Sequence, residues 1–401
     1  MLATYFPKPL NPWMGTWALA QAQALARHGL QIEVVSFTAW VPRLLARTRG
    51  AKAYALCPAV HQWGALQVHY PRWLVYPVAP MRQLAERNPG PFLKLGWLNA
   101  GPWLERFVRR FRPDVIFAHH TAVNGFLAHR LRRRLGLPYV VTDHDFGEIA
   151  SCERWPARRS LFETVVGGAA AMVAVSRRME NLMKRLFPAA RTCTVHNGTD
   201  PVPADLLGVP RPQDIDGREV LFSCGAFYHR KGFPFLIDAF ARVASRYPNA
   251  VLRIAGDGAE RPLIEAAIAR HRLQGRVQLL GMRPHREVLQ EMVWADAFVL
   301  LGWDEPFATV FLEALSAGKP IVFASDGGIA DVAEDGVHGL AVPPKDLEAA
   351  VAALDRILTD AAARLRMGEA ARRLFETRLT WEQNAARMAE LFAAAAREGG
   401  R

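Results

Sequence analysis

The sequence alternates short apolar runs with helix-like segments, and the alternation occurs on both sides of one irregular stretch. In the first half the apolar runs fall at 2–5, 31–36, 114–118, 138–142, 171–175 and 192–196. In the second half they fall at 220–223, 251–255, 277–280, 297–301, 321–324 and 338–342. Alternating strands and helices favour parallel sheets with helices on both faces. The pattern therefore predicts an α/β protein with two Rossmann-like, doubly wound domains facing a cleft.

The irregular stretch lies at 201–217, where Pro and Asp are frequent and no hydrophobic period is visible. We place the interdomain linker there, and 401 residues are enough for two domains of ordinary size. We predict domains at 1–203 and 204–380. Between the strands we predict helices at 122–135 and at about 154–167.

Two glutamates eight positions apart flank the start of a predicted helix. Glu305 follows the apolar run 297–301, and Glu313 lies inside a helix that we expect to open near 307 and close at 318. Ligands of open α/β sheets bind at the carboxyl ends of the strands, and a helix N-terminus offers free N–H groups to an anion. The two acids could thus contact hydroxyls on either side of a diphosphate. From the spacing alone, a pair of ordinary surface glutamates is equally well supported.

Positive charge is concentrated in the first half. Residues 1–200 contain 26 Lys/Arg and 11 Asp/Glu, a balance of +15, whereas residues 201–401 contain 24 and 27, a balance of −3. We expect the first half to meet something anionic: membrane lipid, a phosphorylated substrate or nucleic acid. Nucleic acid is the weakest of these alternatives, because no binding motif accompanies the charge.

One basic, aromatic segment, 97–112, concentrates this charge. It contains Trp97, Trp103, Phe107 and Phe111 among four arginines, so it could lie on an anionic membrane surface. The alternative is an amphipathic helix with its aromatic side chains in the core and its arginines in water. The four cysteines lack C-x-x-C spacing, no apolar run reaches eighteen residues and no signal pattern opens the chain. We therefore expect a cytoplasmic protein, with peripheral contact to the inner face of the plasma membrane as an added hypothesis.

Four glycines follow apolar runs of the second half: Gly225, Gly256, Gly258 and Gly281. Glycine lets the backbone approach a ligand closely, so the four together favour a nucleotide site. No G-x-G-x-x-G opens the chain and no G-x-x-x-x-G-K-[ST] occurs, which argues against a dinucleotide oxidoreductase and a P-loop enzyme.

Motifs along nearly the whole chain resemble those of the retaining glycosyltransferases of family 4, which have the GT-B fold. In the second half these are Phe222-Ser-Cys-Gly225, Arg230-Lys231-Gly232, Gly256-Asp-Gly258, Glu305-Pro-Phe307-Ala through Glu313 to Pro320, and Gly327-Gly328. In the first half they are Gly15, His119, His144, Ser176 and Asn197-Gly198 with Asp200. The resemblance implies a nucleotide-sugar donor held mainly by the second domain, transfer with retention and no obligatory metal or other cofactor. It also implies a last helix, 381–401, that crosses back to the first domain.

The resemblance also assigns roles to individual residues. Glu313 resembles the glutamate that binds the donor ribose, and Glu305 the one that contacts hydroxyls of the donor sugar. Lys231 and the N–H groups of Phe307, Ala308 and Thr309 would hold the diphosphate. The implied donor-binding residues are Gly15, Gly225, Arg230, Lys231, Met282, Arg283, Phe307, Ala308, Thr309 and Glu313.

His144 and Glu305 are the implied catalytic residues. His144 resembles the first-domain histidine beside the reacting sugar, where it could donate a hydrogen bond to a sugar hydroxyl. Considered apart from the resemblance, a histidine at a strand end is more often a structural residue. The base of the nucleotide would be read by the chain after Gly281, Met282 and Arg283.

Three positions depart from the pattern of the family. Ala226 stands where an arginine is usual, five residues before Lys231, and Arg230 is the neighbouring cation that could substitute for it. Ala308 replaces a usual glycine, and Asp145 follows His144 where glycine is common. These departures affect the geometry expected around the diphosphate.

The sequence therefore predicts a glycosyltransferase, of the hexosyltransferase type, that moves a sugar from a UDP- or GDP-sugar to a lipid-linked or polysaccharide precursor. A GT-B epimerase or phosphorylase is one alternative. A catalytically silent relative that binds a membrane or a partner is another, because Ala226 removes a usual cation. The sequence does not specify the donor sugar, the acceptor, the linkage or the oligomeric state.

Overall fold

A computed structural model describes residues 1–74 and 79–399, without the side chains of 79–82. The chain divides into two compact units. The first contains Met1–His196 together with the chain from Trp381 onward, and the second contains Asn197–Thr380. Elements are numbered along the chain below.

The first unit contains nine strands and nine α-helices in the part of it that the structure describes. The strands are β1 Val34–Val35, β2 Thr38–Ala39, β3 Val60–Trp63, β4 Leu66–His69, β5 Arg72–Trp73, β6 Ile116–His119, β7 Tyr139–Asp143, β8 Ala171–Ala174 and β9 Thr192–Thr194. The helices are α1 Thr16–Arg27, α2 Arg49–Ala55, α3 Ala79–Arg87, α4 Gly90–Phe111, α5 Phe126–Leu135, α6 Phe146–Arg154, α7 Pro156–Gly168, α8 Arg177–Leu186 and α16 Trp381–Glu398.

The sheet of the first unit is mainly parallel and is joined through a single residue. Strands β6, β7, β8 and β9 pair in that order, and β1 pairs with β4, which also pairs antiparallel with β3. Leu2 bridges the two parts by pairing with Val35 on one side and Ala118 on the other. The predicted strand at 2–5 is therefore too long. The chain leaves the sheet because the carbonyl of Tyr5 turns towards the start of α1, where it lies against Gly15.

The predicted helix at about 154–167 corresponds to α7, Pro156–Gly168, whereas α6, Phe146–Arg154, was not predicted. The two helices are separated at Trp155, whose backbone is extended at φ −121° and ψ 98°. Pro156 is the cause, because the proline ring disfavours a helical conformation in the residue before it and suits the first position of a new helix. The predicted helix at 122–135 also begins later, as α5, after a π-helical turn at His120–Gly125.

Helix α4 buries Trp97 and leaves Trp103, Phe107 and Phe111 half-buried. Trp97 is only 4% exposed and lies under the guanidinium groups of Arg130 and Arg134, with ring-to-charge distances of 5.2 and 5.9 Å. Trp103 stacks on Phe107 with ring centroids 5.2 Å apart. The arrangement favours the amphipathic-helix interpretation of this segment over an aromatic membrane face.

The last helix, α16, packs against α1 in the first unit. Gln21 of α1 donates to Asn384 of α16 at 2.7 Å, and Asn384 donates to the carbonyl of His196 at 2.8 Å. The buried core around this contact consists of Ala24, Leu25, Phe117, Val140, Val173, Trp381, Ala385, Met388, Phe392 and Ala395.

The second unit is built on one six-stranded parallel sheet in the order β12–β11–β10–β13–β14–β15. Its strands are β10 Glu219–Cys224, β11 Ala250–Ala255, β12 Val277–Gly281, β13 Ala297–Leu300, β14 Ile321–Ala324 and β15 Gly339–Val342. Its helices are α9 Ala204–Leu207, α10 Phe233–Ala244, α11 Arg261–Arg270, α12 His285–Trp294, α13 Thr309–Ser316, α14 Leu347–Thr359 and α15 Ala361–Arg378. This strand order, 3-2-1-4-5-6, is that of a Rossmann fold.

Part of the predicted linker at 201–217 is packed onto the second unit. Val202 and Leu206 form a buried cluster with Leu289 of α12. Among the helices that the structure describes, none combines the length and apolar character needed to cross a bilayer.

Candidate active site

The candidate site of the second unit lies where the strand order reverses. β10, the first strand of this sheet, pairs with β11 on one side and with β13 on the other. In open parallel sheets, ligands bind beyond the carboxyl ends of the strands at this switch point. Gly225, Arg230 and Lys231 follow β10, and Glu305 follows β13, so these candidate residues leave the two central strands at the same edge.

Glu305 is held between two cations. Its side chain is buried, with the residue 5% exposed, and its two carboxylate oxygens accept hydrogen bonds from Arg230 and Lys231. Burial, reinforced by the charge of Arg230, lowers the pKa of Lys231 to about 8. Arg230 remains about half exposed. The Glu305 carboxylate therefore neutralises only part of the positive charge of Arg230 and Lys231. This pair of cations remains accessible to solvent at Arg230.

Close backbone packing sets the position of this pair. Arg230 and Lys231 belong to a 3-10 turn, His229–Lys231, that ends at Gly232 with φ +67°. A β-carbon on Gly232 would lie 2.8 Å from the carbonyl oxygen of Leu301, and the N–H of Trp303 donates to the carbonyl of Arg230 at 2.9 Å. Glycine is required here, because the chain adopts a left-handed conformation and approaches the loop after β13.

The N-terminus of α13 lies directly after Glu305 in the chain. The helix begins at Thr309 rather than near 307, and no side chain caps it. Phe307 is buried and Ala308 is the residue before the first turn. An uncapped helix start presents backbone N–H groups and a partial positive charge, so this segment can bind an anion.

Glu313, within α13, pairs with a histidine that the sequence did not indicate. Glu313 is 8% exposed, and its Oε1 lies 2.9 Å from Nε2 of His285, the first residue of α12. The hydrogen bond to Glu313 raises the pKa of His285. The Glu313–His285 pair is thus a second acid–base contact of the site, and it joins α13 to the start of α12, the helix that follows β12.

Of the remaining predicted donor residues of the second unit, Met282 and Arg283 follow β12, whereas Gly225 follows β10. Met282 is 75% exposed, and Arg283 donates to the carbonyl of Leu280 at 3.0 Å and to Glu287 at 3.2 Å. Gly225 lies beside the aliphatic stem of Lys231, which a β-carbon at this position would approach to 3.8 Å.

In the first unit, Gly15 is fixed by the start of α1. Its φ is +67°, and a β-carbon would lie 2.3 Å from the carbonyl oxygen of Tyr5. Gly15 therefore holds the loop after Leu2 tightly against the head of α1, and any side chain here would separate the two.

His144 lies beyond β7 in a group of aromatic rings. Its Nε2 is 2.9 Å from Nδ1 of His119, the last residue of β6, and the Trp17 ring covers it with centroids 4.0 Å apart. Its backbone N–H donates to Asp143 at 2.9 Å. Burial is the main cause that lowers the pKa of His144, and that of His119, well below the usual range. Both rings are therefore neutral at pH 7.

Beside these rings lies a buried network of opposite charges. The Nδ1 atom of His120 is 3.7 Å from Asp143 and 3.3 Å from Glu148, and Arg158 pairs with Glu148 at 3.1 Å. Burial opposes a charge on His120, but Asp143 and Glu148 raise its pKa above the usual value. Burial likewise opposes ionisation of Asp143, but His120 and Thr121 lower its pKa.

This network has the donor atoms of a metal site. The ligand atoms of His120, Asp143 and Glu148 lie within 4.8 Å of one another. A protonated His120 and Arg158 together balance the two carboxylates, so the network is electrically neutral with its own side chains.

Several functional candidates were not identified from the sequence. His285, Trp17 and His120 carry no motif of their own, since each acts through a partner far away in the chain. For His120 a local signal existed: it stands next to His119 at the end of β6, as Asp143 and His144 do at the end of β7. Paired polar residues at two adjacent parallel strand ends can be expected to meet.

Comparisons with known proteins find a matching family profile for each of the two units. A family profile described as "Glycosyltransferase Family 4" matches residues 14–202, and one described as "Glycosyl transferases group 1" matches residues 210–374. The glycogen synthase of Mycobacterium tuberculosis is 28% identical over 305 residues, which cover 72% of this chain and 70% of that protein.

Two solved structures have similar folds. The sucrose-phosphate synthase of Thermosynechococcus elongatus is 23% identical, with a TM-score of 0.74 over 94% of this chain and 92% of that one. HepE of Anabaena, solved in complex with UDP, is 19% identical, with a TM-score of 0.69 over 95% of this chain and 96% of that one.

Proposed function

Because the chain is a glycosyltransferase of family 4, with the two parallel-sheet α/β domains of the GT-B class, we propose that it transfers a sugar from a UDP- or GDP-sugar with retention at the anomeric carbon. The observation that carries the proposal is Glu305 between Arg230 and Lys231, at the switch point of a Rossmann sheet and just before an uncapped helix. Two cations and a helix N-terminus form an anion site suited to a diphosphate. A flanking acid can bind the hydroxyls of the attached sugar.

In this proposal the diphosphate replaces Glu305 as the partner of the cations. Lys231 and Arg230, with the N–H groups of Phe307, Ala308 and Thr309, stabilise the charge that develops on the leaving diphosphate. Fixed charges and dipoles aimed at a developing charge are usually the largest contribution to catalysis. Glu305, released from one or both cations, then accepts hydrogen bonds from hydroxyls of the donor sugar.

Glu313 and the chain after Gly281 would hold the nucleoside. Glu313 accepts hydrogen bonds from the ribose hydroxyls in place of His285, and Met282 and Arg283 contact the base. Gly225 leaves room beside the stem of Lys231 for the diphosphate. HepE, a structural neighbour, was solved with UDP, which favours UDP as the first nucleotide to test here.

The first unit would hold the acceptor. We propose that residues 1–203 form this acceptor domain, that 204–380 form the donor domain and that the segment 381–401 belongs with the acceptor domain. His144 donates a hydrogen bond to a hydroxyl of the reacting sugar. Gly15 keeps the N-terminus of α1 close to this sugar. A lipid-linked or polysaccharide precursor suits the basic character of this half.

The proposal needs no metal ion or other cofactor, because Arg230 and Lys231 supply the positive charge that a divalent cation provides in other transferases. A chelator added to the assay is then expected to leave the rate unchanged. Loss of activity with a chelator, restored by one divalent metal, would show that this part of the proposal is wrong.

The test is nucleotide release from UDP- and GDP-sugars, with and without acceptor, for the natural chain and for Glu313→Ala. Release should depend on acceptor and fall at least about tenfold in Glu313→Ala, since a buried contact to ribose is lost. The matched control is Glu348→Ala, which removes an exposed glutamate paired with Arg242 on α10. Equal release by all three proteins would contradict the proposal.

Analysis of the product separates the remaining reactions. A glycoside with the donor's anomeric configuration supports retaining transfer. A sugar inverted at one hydroxyl would indicate an epimerase, and a sugar 1-phosphate a phosphorylase.

A further inference from the structure

The rings of His119 and His144 face each other edge to edge. The two nitrogens that point at one another are 2.9 Å apart, whereas the ring centroids are 5.1 Å apart and the ring planes differ by only 9°. Imidazole N–H bonds and lone pairs lie in the plane of the ring, so nearly coplanar rings in this arrangement share one well-directed hydrogen bond.

Two backbone hydrogen bonds fix the main chain of His119, and packed rings enclose its side chain. Its N–H donates to the carbonyl of Leu2 at 2.9 Å, and its own carbonyl accepts from the side-chain amide of Asn124 at 2.6 Å. His119 is 0% exposed, and the Trp17 and Phe117 rings lie 5.0 and 4.5 Å from it. The ring cannot turn to another partner without a rearrangement of this core.

The second nitrogen of His119 decides where the protons lie. Within the described residues, the buried Nε2 atom of His119 has no hydrogen-bond partner. If His144 donated to His119, the proton of His119 would have to lie on Nε2, as a buried N–H without an acceptor. Such orphaned N–H groups are rarer than unpaired acceptors in folded proteins. With the proton on Nδ1 instead, Nε2 carries only a lone pair.

We propose that His119 is a positioning residue that fixes the tautomer of His144, by donating from its Nδ1 to Nε2 of His144 and leaving the proton of His144 on Nδ1. The proposal deepens the proposed function and rests on it, because His144 matters as a hydrogen-bond donor to the reacting sugar. Since Nε2 of His144 is occupied, Nδ1–H is the one donor that its neutral ring can offer to a hydroxyl.

The neighbouring rings support this arrangement. The ring centroid of His120 lies 5.5 Å from that of His144, and the centroid of Trp17 lies 4.0 Å from it. His144 therefore donates in a direction that is set by His119, with its face covered by Trp17. A histidine without such a partner would divide its proton between both nitrogens.

The direct test is the 15N NMR spectrum of the imidazole nitrogens in the full chain, with His144 assigned by comparison with His144→Phe. We expect the shifts of His144 to show a protonated Nδ1 and an unprotonated Nε2. His119→Leu should convert them to values averaged over both tautomers, and His119→Asn should preserve them, because its amide N–H occupies nearly the position of the Nδ1–H. A proton on Nε2 of His144 in the natural chain would overturn the proposal.

The kinetic test uses a double-mutant cycle. His119→Leu should lower kcat about tenfold, the effect of one misdirected hydrogen bond, with little change in the KM for the donor. In a His144→Ala background the same change should have no further effect, because His119 acts only through His144. An equal loss in both backgrounds would overturn the proposal.

A control variant completes the design, and the two readouts distinguish a failure of this proposal from a failure of the proposed function. His129→Leu removes a histidine of the same unit that lies 3.2 Å from the hydroxyl of Tyr139, and it should leave both readouts unchanged. If the natural chain transfers no sugar, the proposed function fails. The NMR spectrum still decides the tautomer, because it requires no substrate.

Discussion

The buried carboxylate of Glu305 pairs with both Arg230 and Lys231. These are the two cations that the proposed diphosphate requires. A charged side chain that is this buried is stable only when paired. The Glu305 pairing therefore keeps the two cations in place before the donor arrives. When the donor binds, one anion replaces another, so little new ordering of the site is needed.

Arg230 is expected to serve as the second cation that Ala226 lacks. Replacement of Arg230 by Met should weaken binding of UDP or GDP about tenfold, because one charged contact to a partly exposed phosphate is lost. Titration calorimetry measures it. The matched control is Arg242→Met, which removes an exposed arginine of the same unit from its pair with Glu348.

The exposed position of Ala226, just after β10, offers a rescue of this loss. Ala226→Arg in the Arg230→Met background should restore part of the affinity. Equal affinities of the natural chain and Arg230→Met would show that Arg230 has no role at the phosphate.

Lys231 predicts a pH dependence of nucleotide binding. Burial lowers its pKa to about 8, so the ammonium form dominates at pH 7 and is depleted as the pH rises above 8. If only the charged form binds the diphosphate, the Kd should rise about tenfold between pH 7 and pH 9. Calorimetric titrations at a series of pH values test this.

Lys231→Arg is the control for this titration, because a guanidinium keeps its charge throughout this range. Its Kd should stay flat, and any slope that remains reports titration of the nucleotide itself. Parallel pH profiles of the two proteins would contradict a role for the Lys231 charge.

At the scale of elements, Gly232 lets the 3-10 turn that carries Arg230 and Lys231 pack against the loop after β13. Gly217 has nearly the same backbone angle, φ +68° against +67°, but its β-carbon would meet no atom within 4 Å. Replacement of Gly217 by Ala should therefore cost only the left-handed conformation, about 1 kcal/mol. Gly232→Ala adds a clash with Leu301, so we expect about 3 kcal/mol in total.

Urea denaturation monitored by tryptophan fluorescence compares the two glycine variants with the natural chain. Gly232→Ala should also weaken nucleotide binding, since the turn that carries Lys231 must shift, whereas Gly217→Ala should bind normally. Equal destabilisation by both variants would show that the close approach at Leu301 is not important.

The sequence predicted the sheets and helices of the second unit well because they follow local patterns. Strands ended by glycine and a helix after Glu305 were visible, and α13 starts within two residues of the expected position. The contact between Glu313 and His285 was not visible, because it joins two helices separated by a strand. The sequence also indicated α7, which Pro156 opens within two residues of the predicted start, but not α6, Phe146–Arg154.

The first unit was harder to predict because its site depends on ring packing. His144 was named only through the family resemblance, and its neighbours Trp17, His119 and His120 come from two other elements and from the residue after β6. The early strand was too long because the contact between Tyr5 and Gly15, which ends it, lies ten positions apart in the sequence. Local periodicity carries no information on such contacts.

At the scale of the whole molecule, charge distinguishes the two halves of the chain. The excess of +15 in residues 1–200 includes Arg106, Arg109 and Arg110, which are exposed on α4 while the aromatic side chains of that helix are buried or half-buried. We therefore expect membrane contact through this helix to be electrostatic, with little insertion of aromatic rings. Electrostatic contact with anionic lipid weakens steeply as salt is added, because the Debye length shortens.

Sedimentation with vesicles tests this contact. The natural chain should bind vesicles that contain phosphatidylserine or phosphatidylglycerol at low salt, and neutral vesicles weakly or not at all. The double charge reversal Arg109→Glu with Arg110→Glu should lower partitioning at least about tenfold, given about 1 kcal/mol for each basic residue near the surface. The matched control reverses two exposed arginines of α15, Arg366→Glu with Arg373→Glu, for the same change in net charge in the other unit. Equal loss in both double variants would show that net charge alone attracts the protein, and binding that is unaffected by either would contradict a membrane face on α4.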